Sequence, residues 1–83
     1  MKEVVIYSGI PYYEIKDYFE KAAMWLSPEK YLGEQWQVEL EVLEDQGYKN
    51  LPIPQTRLTF TGKAEAVDRA VHKYRRAFLR GGA

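Results

Sequence analysis

The chain contains no cysteine, which removes disulfides, thiolate metal sites and cysteine nucleophiles together and fits a reducing compartment. Histidine occurs once, as His72. A lone imidazole has neither a second metal ligand of its kind nor an evident carboxylate to orient it as a general base. No apolar run approaches the roughly 18 residues of a membrane span. The opening Met1-Lys2-Glu3-Val4-Val5-Ile6-Tyr7 is too short and too acidic for a signal peptide, so cytoplasmic residence is the expectation. Nor is there a glycine-rich phosphate loop, because Thr61-Gly62-Lys63 lacks the spaced glycines that precede Lys-Ser or Lys-Thr. A single Asn among abundant Glu, Arg and Tyr is a composition also met in thermophiles.

What remains is an ordinary globular composition. At 83 residues, 46% hydrophobic and 29% charged, the chain has room for one domain, residues 1–83, and is too apolar to be disordered. A domain this small commonly gains stability from a staple or a second subunit. Net charge is zero but unevenly placed: residues 1–48 carry −6 and residues 49–83 carry +6.

Hydrophobic periodicity divides the chain. Val4-Val5-Ile6-Tyr7 reads as a strand ended by Ser8-Gly9-Ile10-Pro11. Ile15, Tyr18, Phe19, Ala22 and Leu26 follow at helical spacing, with Pro11 as the first helical residue. Ser27-Pro28-Glu29 ends that helix and offers a cap for one further helical turn. From Glu34 to Glu44 the period is two, with Trp36, Val38, Leu40 and Val42 inward and Gln35, Gln37, Glu39 and Glu41 outward. Asp45 to Pro54 reads as a connection. Leu58 and Phe60 alternate with Arg57, Thr59 and Thr61 in a third strand. Gly62 is then the expected N-cap of a helix whose buried positions are Val67, Ala70, Val71, Tyr74 and Phe78, with Gly81-Gly82 as its C-terminal stop.

The expected architecture is an α+β two-layer sandwich, a three-stranded antiparallel sheet of order 1-3-2 with two helices on one face. This β-α-β-β-α order resembles the ferredoxin-like fold lacking its last strand, and small uncharacterised bacterial domains of that layout. The resemblance is of element order only, and so implies no activity. Small ferredoxin-like enzymes that hydrolyse acyl phosphates use an arginine in a glycine-rich loop; Ser8-Gly9-Ile10-Pro11 supplies none.

In that order the first strand is an edge. Val4, Val5, Ile6 and Tyr7 are apolar on both faces and carry neither proline nor a central charge, the usual protections against pairing. A two-fold dimer that joins two such edges is the economical cover. The last helix sets Arg69, His72, Lys73, Arg76 and Arg80 on one face, beside Tyr74 and Phe78. Such a stripe can track phosphates of a nucleic acid; it is also what the solvent side of any helix carries. The chain has no GXXG loop and no aromatic ribonucleoprotein motif. Glu39 and Glu41 can oppose Arg57 across the sheet, Glu65 can pair with Arg69, and Asp68 can hydrogen-bond His72. Tyr7, Tyr12 and Tyr13 gather at a strand-to-helix junction and are the candidate lining of a ligand pocket. The tail Leu79-Arg80-Gly81-Gly82-Ala83 resembles ubiquitin-like tails, whose terminal glycine carboxylate becomes activated. Here Ala83 follows the glycines, and a helix rather than a last strand is expected before them.

These readings name no catalytic residue, metal or cofactor. They favour a non-catalytic interaction module that self-associates or meets a protein partner, with nucleic-acid binding through the basic helix and a small-ligand domain or enzyme as the alternatives. No membrane contact is expected.

Overall fold

The computed structural model describes residues 1–43 and 55–79. The elements run β1 (Lys2–Ser8), α1 (Tyr12–Ala22), β2 (Met24–Ser27), β3 (Lys30–Gly33), β4 (Trp36–Leu43), β5 (Gln55–Gly62) and α2 (Ala64–Ala77). They form one five-stranded sheet of order β1-β5-β4-β3-β2, antiparallel at every pairing. The expectation of a three-stranded, 1-3-2, ferredoxin-like sheet is therefore corrected. The stretch expected to end the first helix and add a further helical turn is a β-hairpin instead.

The change begins at the end of α1. Ala23 is already extended, with φ −148° and ψ 173°, so α1 stops at Ala22 and Leu26 never joins its stripe. Pro28 and Glu29 are the turn between β2 and β3, with Ser27 opposite Lys30. Proline's fixed φ serves a tight turn as well as a helix start.

Alternation along the longer strands decides which face is buried. Val4 and Ile6 on β1, Leu58 and Phe60 on β5, Val38 and Leu40 on β4, and Tyr31 on β3 form a common core with Ile15 and Phe19 of α1 and Val67, Ala70 and Tyr74 of α2. Each fully buried large side chain contributes about 1.5–3 kcal/mol relative to exposure. Phe19 is central: its ring meets those of Tyr18, Tyr31, Trp36, Phe60 and Tyr74 at centroid distances of 4.9 to 6.3 Å. The opposite face of the sheet is bare of helices and carries cross-strand rows, Tyr7-Arg57-Glu41 and Val5-Thr59-Glu39-Lys30.

Two glycines seat Trp36. The β3–β4 turn pairs Gly33 with Trp36, and a Cβ on Gly33 would run into the indole ring. Gly62 has φ +146°, and a Cβ there would collide with the Gln35 carbonyl oxygen. That oxygen accepts from the Lys63 N–H at 3.0 Å. Gly62 is thus a close-approach glycine, not the expected N-cap; the cap is Lys63, which makes no side-chain capping bond. Pro11 likewise caps α1 from outside the helix. α2 is capped at Phe78, ahead of the glycine pair expected to end it. Gly81, Gly82 and the expected connection from Asp45 to Pro54 lie outside the described residues.

Candidate functional site

β1 has one neighbour, β5, and so is an edge of the sheet. Its core-facing Val4 and Ile6 are half-buried, while Val5 and Tyr7 on the bare face are 43% and 58% exposed. Tyr7 and Glu41 flank Arg57 and raise its pKa, first through hydrogen bonding to Tyr7 and then through the Glu41 carboxylate. Glu41 and Arg57 form the cross-strand ion pair expected of them, whereas Glu39 faces Thr59 and Lys30. The other edge, β2, presents Met24, Trp25 and Leu26, all exposed. It is only four residues long and its register shifts between Trp25 and Ser27. Shortness and irregularity blunt an edge, so β1 is the better template for pairing.

α2 crosses the sheet beside β1. Asp68 accepts from Lys2 Nζ at 2.7 Å, binding helix to strand in place of the expected contact with His72. One turn or more further on, Tyr74 and Arg75 share a shallow groove with Ile6, Tyr7 and Ser8. The flank of α2 over β1 is therefore acidic near its start and basic near its end. Tyr74 is buried, which raises its pKa, and its hydroxyl has no hydrogen-bond partner among the described residues.

Arg69, His72, Lys73 and Arg76 are all exposed and line one groove on the outer surface of α2 with Asp68. Arg80 lies outside the described residues. Glu65 and Arg69 form no ion pair among the described residues, whose pairs are Lys2–Asp68, Lys21–Asp17 and Arg57–Glu41. The tyrosines expected together are dispersed. Tyr7 lies on the bare face and Tyr13 is exposed beside Phe78, each lining a different groove. Tyr12 is half-buried, its pKa raised by burial and then by Glu29 and Glu20.

A cleft of about 370 Å³ opens between the two helices. Tyr18, past the middle of α1, meets Phe78 at the end of α2, with ring centroids 5.7 Å apart. Toward the other end the facing side chains shrink to Ala22, Ala66 and Ala70, and the cleft has Trp36 and Gly33 among its lining. Arg69 and Lys73 also line it, with Glu34 from the β3–β4 turn. Sequence reasoning assigned Tyr18, Ala22, Trp36 and Ala70 to buried faces and Arg69 and Lys73 to a basic stripe, and did not single out Gly33, Glu34 or Ala66. Among the described residues no group of three or more His, Asp or Glu is arranged to hold a metal, and no helix is long and apolar enough to cross a membrane.

The molecule is thus defined as a two-layer α+β domain with one bare sheet face and an edge strand at its start. The chain belongs to the family described as archaeal MoaD-like protein, whose model matches residues 3–83. That match does not show the bacterial affiliation suggested by element order. No curated protein and no solved structure matches the chain.

Proposed function

We propose that this MoaD-like domain works as a non-catalytic interaction module that self-associates through β1. The observation that carries the reading is an edge strand of seven residues, KEVVIYS, apolar on both faces at its centre. A two-fold axis at Val5 pairs Val4 with Ile6 of a second copy and continues the antiparallel sheet across both molecules. The same axis brings two α2 helices side by side in opposite directions, so that Asp68 of each copy approaches Arg75 of the other.

The experiment is molar mass by light scattering across a dilution series. The expected result is twice the chain mass, reduced to the chain mass by Val5→Lys with unchanged circular dichroism, because an edge lysine is a standard block to strand pairing. A wild-type monomer at every concentration removes the reading. Loss of the dimer and persistence of a soluble folded monomer are the paired outcomes that support it.

A second reading rests on the family match running through the Arg80-Gly81-Gly82 tail. In it the domain presents a glycine carboxylate for activation, as ubiquitin-like tails do. The tail follows α2 rather than a strand, which is why this reading stands second. Intact-mass spectrometry of protein isolated from its source decides it. Processing to Gly82, or a carboxylate found activated or joined to an amine, supports a carrier; an unmodified Ala83 terminus removes it.

A further inference from the structure

We propose that the cleft between α1 and α2 binds a planar aromatic monoanion, a carboxylate carried on one or two fused rings. The cleft's size, about 370 Å³, falls at the small end of the range that holds organic ligands. Its existence follows from side-chain size. Two helices closed by Tyr18 and Phe78 at one end cannot also close where Ala22, Ala66 and Ala70 face one another. Any larger pair of residues there would fill the gap.

Its lining is divided in a way that selects a ligand. Tyr18 and Trp36 supply aromatic surface, and Trp36 is fixed in place by the close approach of Gly33 and Gly62. A rigid indole offers stacking area at little entropic cost. Arg69 and Lys73, one helical turn apart, supply two cations, and neither is in an ion pair among the described residues. Glu34 subtracts one charge. A net charge of +1 beside aromatic walls matches a monoanion on a flat ring better than the dense, repeated charge of a nucleic-acid backbone. A carboxylate also accepts the paired N–H bonds that an arginine fork donates.

The probe is 2-naphthoate, titrated into the full chain and followed by the Trp36 indole N–H in a ¹⁵N correlation spectrum. The expected result is a saturable shift of that resonance. Arg69→Gln and Lys73→Gln each weaken binding about tenfold, the usual effect of losing one charge-assisted contact. Ala22→Leu, at an exposed position, fills the cleft and abolishes the shift while the remaining amide spectrum stays folded. Three outcomes overturn the proposal: no shift at millimolar naphthoate, equal binding of the neutral 2-naphthalenemethanol, or full competition by inorganic phosphate, which would mean that only the outer basic face of α2 takes anions. The readout does not depend on dimer formation, so it succeeds or fails independently of the β1 reading.

Discussion

Tyr31 concentrates the residue-scale chemistry of the core. Its ring is fully buried and stacked on Phe19 at 6.0 Å, and its hydroxyl donates to Glu20 Oε2 at 3.3 Å. Burial, and then the neighbouring Glu20 carboxylate, push its pKa up to about 12. The phenolate is therefore disfavoured in the folded state relative to the unfolded chain, where tyrosine ionises near pH 10. Above about pH 10 the unfolded chain loses this proton first and binds fewer protons than the native state, so stability falls as pH rises. The contribution is whole below pH 10 and lost by about pH 12. Denaturant midpoints measured between about pH 9 and 12 should decline, and Tyr31→Phe should flatten the decline while leaving a remainder from Tyr12, Tyr18 and Tyr74, whose pKa values burial also raises. An alkaline slope unchanged in Tyr31→Phe would remove the assignment. Tyr31 is also a residue that pattern reading passed over, because its strand has only four residues and one inward side chain between Lys30 and Leu32.

At the scale of elements, legibility tracked length. α1 and α2 run for 11 and 14 residues, long enough for a stripe at 3.6-residue spacing to be unambiguous, and the buried positions Ile15, Phe19, Val67, Ala70 and Tyr74 were readable from it. β4, at 8 residues, gave four inward positions from Trp36 to Val42, and β5, of the same length, gave Leu58 and Phe60 between polar neighbours. β2 and β3 give two alternations each, too few to establish a period, and Leu26 happened to continue the spacing of α1 by 11 residues. What ended the helix was tertiary: the backbone at Ala23 turns extended so that β2 can hydrogen-bond β3 at the sheet edge. Boundaries failed for the same reason. Gly62 reads equally as a cap or as a close-approach glycine, and only the contact with Gln35 from a different turn separates the two. The cleft was illegible for a related cause, since a gap between helices depends on which small residues face each other across the sheet, a relation that no single helix displays.

Across the whole molecule the −6 and +6 division of the sequence becomes a spatial pattern only in part. Arg57 and Glu41 pair across β5 and β4, and Lys2 binds Asp68, so some of the opposite charge is neutralised within the fold. The flank of α2 beside β1 still presents Asp68, 59% exposed while paired with Lys2, toward its start and Arg75 toward its end, and two such flanks related by the proposed axis at Val5 are complementary. Exposed pairs contribute about 0 to 1 kcal/mol each. Two symmetric pairs therefore bias dimerisation by about 1 kcal/mol, roughly fivefold in Kd. Arg75→Glu should weaken the dimer by about that factor at low salt, because the introduced carboxylate would face Asp68 of the second copy. Adding Asp68→Arg, with Lys2→Glu to keep the helix-to-strand ion pair in reversed sign, should restore it, since the reversed pair is again complementary, and the difference between the variants should shrink as salt screens exposed charges. The dissociation constants come from light scattering at several ionic strengths. Failure of the added substitutions to recover the first, in a dimer still broken by Val5→Lys, would keep the strand pairing and discard the antiparallel placement of the helices. Recovery would support both elements about one axis, with residue 68 of each copy beside residue 75 of the other while the sheet continues through β1.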